Sequence, residues 1–281
     1  MKKLLVMMMA VVLTGCSKTV IEEDEMFENT HGKMTIRFDF NLNDTRGLSA
    51  NGVDMTDLLM YDFLGGEMEQ GEHLTQASAM WDSPAMNLDY GNHSLYFVAS
   101  AGDGIDEDDA EHKVTWTKVR DTFWSKKQLN VTSAASGDVA VTLNRVATKL
   151  KLTITDEVPA GLASVRVTCG DWYYGLDYVT GAATDGVEND VHTVSVPNSY
   201  IGTSGQLSIG FYGISDEDEW MTDVTIEALN GSSQVIGSVT IPDVPFKRNR
   251  VTEYSGQLFA QGSTFTLTLN DEWEDPEIGT W

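Results

Sequence analysis

The sequence predicts an all-β protein, and three observations predict it. Apolar residues recur at every second position in short runs, and Gly, Asn, Asp and Ser separate those runs. The 25 glycines against 6 prolines suit many tight turns in a globular chain. In residues 34–42, Met34, Ile36, Phe38, Phe40 and Leu42 share one face while Thr35, Arg37, Asp39 and Asn41 share the other, which is the pattern of a half-buried strand.

The same texture continues down the chain. It recurs in Leu95-Tyr96-Phe97-Val98, Val114/Trp116, Val139/Val141/Leu143, Leu150/Leu152/Ile154 and Val165/Val167. Later runs are Val194/Val196, Leu207/Ile209/Phe211, Val224/Ile226, Val239/Ile241 and Phe265/Leu267/Leu269. Only residues 118–129 show helical spacing. About a dozen strands exceed one seven-stranded sandwich, so two stacked β domains are expected. Their junction falls in residues 143–148, where one alternating run ends and the next begins. The division is residues 34–147 for the N-terminal sandwich and 148–281 for the C-terminal one.

The amino terminus carries an address. Met1-Lys2-Lys3 is followed by an apolar run of about ten residues, shorter than the ~20 a bilayer span needs. Leu13-Thr14-Gly15-Cys16 resembles the bacterial lipobox. A signal peptide of residues 1–15 is therefore expected, cut between Gly15 and Cys16, with lipid on the Cys16 thiol as the membrane link. Residues 16–33, acidic at Glu22-Glu23-Asp24-Glu25, read as a flexible tether. With Cys16 acylated, Cys169 has no partner for an intramolecular disulfide and reads as a small core residue.

Charge narrows the partners. Removing Lys2 and Lys3 from the 18 basic residues leaves 16 against 43 acidic, a net charge of −27. So acidic a chain disfavours nucleic acid and anionic headgroups, leaving acyl chains as the outer-membrane attachment.

The residues do not point to catalysis. His31, His73, His93, His112 and His192 show no metal-ligand spacing, and none pairs with a cysteine. There is no Gly-x-Ser-x-Gly elbow and no phosphate loop, so no catalytic residue, metal site or cofactor is expected. Two acidic runs, Asp103-Gly104-Ile105-Asp106-Glu107-Asp108-Asp109 and Asp216-Glu217-Asp218-Glu219, could gather calcium ligands, but neither follows the twelve-residue calcium loop. Trp172-Tyr173-Tyr174 could form a sugar-stacking platform; core or hairpin packing is the more frequent use of such a run.

Four segments carry a family resemblance. They are Val53-Asp54-Met55-Thr56-Asp57-Leu58-Leu59-Met60-Tyr61-Asp62-Phe63 with Gly65-Gly66, then Leu143-Asn144-Arg145-Val146-Ala147-Thr148-Lys149-Leu150-Lys151-Leu152. Next is Val244-Pro245-Phe246-Lys247-Arg248-Asn249-Arg250-Val251-Thr252, leading to Gly256-Gln257-Leu258-Phe259, and last residues 265–269 with Asp271-Glu272-Trp273. In this order, and behind a lipobox, they resemble the fimbrillin superfamily of Bacteroidetes, the subunits of type V pili.

The resemblance implies two tandem transthyretin-like β-sandwich domains with Greek-key topology and a structural role in a cell-surface fimbrium. It implies export as a lipoprotein, removal of the first strand by an Arg-specific protease, and assembly with other fimbrial subunits by β-strand addition. Met34, Ile36, Phe38, Phe40 and Leu42 would lie on the removable strand, with the cut between Arg46 and Gly47. Phe265, Leu267 and Leu269 would lie on the donated strand. Anchor subunits keep the first strand and the lipid, stalk subunits lose both, and tip subunits lose the strand. Arg46 and the strand-like C-terminus favour a stalk or accessory (tip-side) subunit. The competing expectation is a stand-alone surface lipoprotein adhesin that binds a glycan or a host or bacterial surface protein.

Overall fold

The computed structural model describes residues 32–43, 45–50, 52–133, 137–214, 219–260 and 265–270. Strand follows strand. The first twelve are β1 (Lys33–Leu42), β2 (Thr45–Arg46), β3 (Ser49–Ala50), β4 (Val53–Asp54), β5 (Asp57–Leu64), β6 (Glu67–Thr75), β7 (Ala85–Asp89), β8 (Gly91–Ser100), β9 (Asp103–Asp108), β10 (Lys113–Lys118), β11 (Thr122–Val131) and β12 (Asp138–Arg145). After Val146 come β13 (Ala147–Ile154), β14 (Leu162–Cys169), β15 (Trp172–Asp177), β16 (Ala183–Val187), β17 (Asp190–Ser195), β18 (Leu207–Ile214), β19 (Glu219–Asn230), β20 (Val235–Lys247), β21 (Val251–Gly256) and β22 (Phe265–Asn270). A 3-10 turn, Asn198–Tyr200, is the helical element among the described residues. The all-β expectation holds.

The first sheet runs β2-β1-β12-β11-β8-β5-β6, with β7 also on β1. Strands β11 and β12 share only two register pairs, Phe123↔Arg145 and Trp124↔Asn144, and the sheet turns a corner there. Its two arms then face each other. Phe97 of β8 meets Phe38 and Phe40 of β1 edge-on at 5.1 and 5.3 Å between ring centres. Ile36, Phe38, Phe40, Leu42, Leu58, Met60, Leu95, Phe97, Phe123, Val141 and Leu143 form the enclosed core.

The second sheet runs β22-β21-β13-β18-β15-β10-β9, with β16 on β15, and the third runs β17-β14-β19-β20. These two pack face to face over Leu150, Leu152, Val165, Val167, Trp172, Ile209, Ile226 and Phe246. Strands β9 and β10 precede β12 in sequence, but β10 pairs with β15 and β9 with β10, so residues 103–118 belong to the second sheet.

A third apolar layer lies between the first two sheets. It uses the alternate residues of the strands that fill the first core: Leu59, Tyr61 and Phe63 of β5, and Tyr96 and Val98 of β8, meet Val114, Trp116, Leu176, Tyr178 and Ile214. Tyr61 stacks on Tyr178 at 3.7 Å and 8°. Polar clasps surround this layer. Tyr61 donates to Glu107 at 2.6 Å, and His73 sits between Glu107 (2.9 Å) and Asp57 (2.8 Å). The hydrogen bond with Glu107, opposed by burial and reinforced by Asp57, holds His73 up at about 9. Arg145, almost wholly buried, donates to both oxygens of Asp121 at 2.6 and 3.0 Å and to Asn249 at 2.8 Å. Two of the segments that carry the family resemblance thus meet at Arg145 and Asn249, and Asn249 N–H donates to Ala147 C=O at 2.9 Å.

The helical spacing of residues 118–129 is overturned. Ten register pairs join β11 to β8 from Thr122↔Ser100 to Val131↔Gly91. Phe123 enters the first core and the neighbouring Trp124 packs against the third layer. A strand packed on both faces puts apolar residues side by side, and the alternation that marks a one-sided strand is lost.

Candidate strand-exchange site

Strand β1 places each of its predicted residues. Its period-two pattern buries Ile36, Phe38, Phe40 and Leu42 fully, and Met34 partly, against the first core. One edge is a parallel ladder with β12, from Arg37↔Asp138 to Leu42↔Leu143. The opposite edge is shared. Strand β7 covers Lys33 to Arg37 antiparallel, and β2 covers Asn41 and Leu42. Between these patches, Phe38 N–H reaches Pro84 C=O at 2.9 Å and Gly47 N–H reaches Phe40 C=O at 2.8 Å. A cleft of about 190 Å³ opens there, lined by Phe38, Phe40, Leu48, Trp81 and Pro84. The side chains of β1 are core while its second edge is a broken seam.

The predicted cleavage bond lies at the end of that seam. Arg46 is the second residue of β2 and pairs with Asn41. Gly47 follows at φ +92°, in the left-handed region that glycine adopts without a Cβ clash. Cutting after Arg46 requires the two-residue strand β2 to leave β1. Gly15 and Cys16, the lipidation site, lie outside the described residues.

Residues 265–269 lie in β22, which pairs antiparallel with β21 from Val251↔Asn270 to Gly256↔Phe265 at the end of the second sheet. Phe265 packs on the core between the second and third sheets, and the side chains of Leu267 and Leu269 fall outside the description. The donor candidate therefore pairs with its own chain. The acidic run of β9 does not converge on a common centre. Asp103 pairs with Arg120, Glu107 holds His73 and Tyr61, and Asp108 caps the backbone of Ala110 and Glu111. Asp216, Glu217 and Asp218 lie outside the described residues.

A second region emerges that the sequence did not advertise. A cleft of about 800 Å³ lies between residues 117–121 and the edges of β17 and β18, with Tyr174, His192, Phe211 and Tyr212 in its wall. Lys118, Arg120 and the buried Lys149 also line it, beside Asp54 and Asp121. Strand β15 meets β18 only at Tyr173↔Ile214, so the edge of β18 at Ile209 to Tyr212 faces the cleft.

At the cleft wall, strand register gathers a polar cluster. Cys169 opposes Asp190 across β14 and β17, and His192, two residues on, projects from the same face. His192 Nε2 lies 2.6 Å from Asp190 Oδ2, to which Tyr174 donates at 2.5 Å. Burial raises Asp190, but the hydrogen bonds with His192 and Tyr174 outweigh it and leave the carboxyl below its usual range. Burial, with the nearby Asp190 charge, pushes the Cys169 thiol up to about 12. Cysteine and histidine stand 23 positions apart in sequence, and only the β14–β17 register brings them together. Trp172 of the Trp-Tyr-Tyr run is core, whereas Tyr174 reaches the cleft wall.

Residues 95–280, about two-thirds of the chain, match a family of unknown function (DUF6562). No curated protein matches the chain. Among solved structures, the fold is similar to a candidate adhesin from Bacteroides ovatus at 10% identity and TM-score 0.54, covering 89% of this chain and 95% of that one. It is also similar to a candidate cell adhesion protein from Bacteroides uniformis ATCC 8492 at 12% identity and TM-score 0.52, covering 85% and 98%. The fimbrial anchor protein Mfa2 from Porphyromonas gingivalis aligns at 9% identity and TM-score 0.50, covering 87% and 99%. The likeness read from the sequence thus extends to the fold.

Proposed function

For a chain that belongs to the DUF6562 family, whose function is unknown, we propose a structural role in a cell-surface fimbrium, with export as a lipoprotein through Cys16 and assembly by exchange of β1. The observation that carries this reading is the mismatch in how β1 is held. Its four fully buried side chains are worth roughly 1.5–3 kcal/mol each, or about 6–12 kcal/mol together. Its second edge is held only by β7, β2 and single hydrogen bonds. A strand whose side chains are core while its second edge is patched by separate short segments is suited to replacement by an equivalent strand from a neighbour. Arg46 stands four residues beyond it, and the likeness of the fold to Mfa2 adds support. The role is non-enzymatic, and a stalk or tip-side place is favoured over an anchor because Arg46 offers a cut.

Digestion with an Arg-specific protease, followed by electrophoresis in detergent without boiling, tests the reading. A ladder of multimers that collapses on boiling is expected. Clean cleavage after Arg46 that leaves only monomer at every concentration would overturn it. Independently, Cys16→Ser is expected to abolish palmitate labelling, and labelling that persists removes the lipoprotein assignment.

One observation favours a second reading, a stand-alone surface adhesin. The cleft of about 800 Å³ combines aromatic side chains, Tyr174 and Tyr212, with Lys118, Arg120 and Lys149, and suits an acidic glycan. Binding of acidic oligosaccharides that Lys149→Ala or Tyr212→Ala eliminates, in a chain that never polymerises, would select this reading.

A further inference from the structure

We propose that Cys169, Asp190 and His192 form a binding site for a divalent transition ion of the zinc class. One sulfur, one nitrogen and one carboxylate oxygen lie within 4.8 Å of one another. Sulfur and imidazole ligands select such an ion over calcium or magnesium, which take oxygen. With Zn–S near 2.3 Å and Zn–N and Zn–O near 2.0–2.2 Å, tetrahedral donors stand roughly 3.3–3.6 Å apart. His192 Nε2 and Asp190 Oδ2, at 2.6 Å, need to separate by less than about 1 Å to admit the ion.

The Cys169 thiol supplies an independent indication. It is 1% exposed, makes no disulfide and has no hydrogen-bond partner among the described residues, yet its register partner in an otherwise apolar core is the carboxylate of Asp190. A buried sulfur that needed only to fill space would not require a carboxylate opposite it. The donors also sit on a stiff frame. Cys169 and Asp190 are register partners, and the His192 ring is stacked on Phe211 at 4.3 Å and 27°. Tyr174 holds Asp190 from outside the ligand set, the kind of partner that orients a ligating carboxylate.

The cleft gives the ion its path. Tyr174 and His192 belong to its wall, so the ion enters from solvent, and its fourth position faces the cleft, where water or an incoming donor atom completes the tetrahedron. On binding, Cys169 gives up its thiol proton to solvent and the Asp190–His192 hydrogen bond is exchanged for two metal–ligand bonds. The ion then ties the edge strand β17 to β14 beyond their backbone ladder.

The test uses the full chain carrying Cys16→Ser, so that Cys169 is the sole thiol. One zinc per chain is expected to survive gel filtration and to raise the unfolding temperature. Cobalt in its place is expected to give the intense near-ultraviolet absorption of a thiolate-to-metal charge transfer. Cys169→Ala and the isosteric Asp190→Asn are each expected to weaken zinc binding at least ~100-fold, and the former to remove the cobalt band. Circular dichroism and the unfolding temperature in chelator establish that each variant is folded, and Asp190→Asn serves if Cys169→Ala is not. The proposal is overturned if the parent chain retains no stoichiometric zinc. It is equally overturned if the cobalt form lacks the thiolate band, or if the folded variants bind zinc as the parent does.

Discussion

Replacing Phe38 by Ala removes a ring that is 4% exposed and lies in the middle of β1, touching Phe97 at 5.1 Å and Phe40 at 6.0 Å. Truncating a buried Phe costs about 3–5 kcal/mol, made up of lost transfer energy and the cavity left behind. Set against a total stability of roughly 5–15 kcal/mol, this one side chain decides much of whether the core of the first sheet stands. At a urea dependence of about 2–3 kcal/mol per molar, the midpoint should fall by roughly 1–2.5 M. Equilibrium unfolding in urea, followed by circular dichroism, reads the shift. Arg37→Ala is the control on the same strand. Its side chain is exposed and its ion pair with Asp138 is long at 3.8 Å, so the expected loss is under about 1 kcal/mol. Some of the Phe38 effect belongs to the ring pair, and a double-mutant cycle with Phe97→Leu should return a coupling of about 0.5–1.5 kcal/mol. Equal midpoints for Phe38→Ala and Arg37→Ala would refute the claim that β1 is core, and with it the reason a replacement strand is needed.

Three further outcomes are expected. His73 is held up at about 9 in the folded chain against an ordinary 6.5, so its stabilisation is complete below pH 6.5 and is lost as pH rises through about 9. The unfolding temperature should therefore fall over that window in the parent and fall less in His73→Gln; parallel curves would exclude the clasp with Glu107 and Asp57. Gly47→Ala places a Cβ at φ +92°, costing about 1–2 kcal/mol locally. That raises the open fraction of β2 by about 5–30-fold, and digestion at Arg46, timed by mass spectrometry, should quicken accordingly, whereas an unchanged rate would mean that β2 does not guard the bond. Asp121→Asn leaves the Arg145 guanidinium buried without its carboxylate and should cost about 3–5 kcal/mol, whereas Asp103→Asn, whose pair with Arg120 is exposed, should cost under about 1 kcal/mol by the same urea measurement.

What was legible in the sequence follows from how many faces of a strand are packed. Strand β1 has one buried face, and its alternation gave Ile36, Phe38, Phe40 and Leu42 without error. The strands β5, β8 and β11 lie between two apolar layers, so Leu58-Leu59-Met60-Tyr61 and Phe123-Trp124 read as unbroken apolar runs, and β11 took on a helical look. Strand β6, with Glu67, Glu69 and Glu72, was passed over because an exposed edge strand carries little apolar signal. The addition of β9 and β10 to the sheet of the C-terminal half is a matter of long-range pairing, which no local pattern encodes. The same holds for the polar cluster. Asp190 and His192 stand in period two, but the presence of Cys169 across from them depends on the offset between β14 and β17.

The two neighbours of β1 also set how the chain would bear a pulling load. Tension entering at Lys33 along the strand axis meets the β7 ladder first, and the β12 ladder on the other edge only from Arg37. Tension entering past Leu42 meets the β12 ladder on one edge and the two register pairs of β2 on the other. The strand thus passes its load from one edge to the other at Arg37. A fibre joint made in its place would inherit that change of edge, and a protease working at Arg46 acts at the end that β12 and β2 hold together.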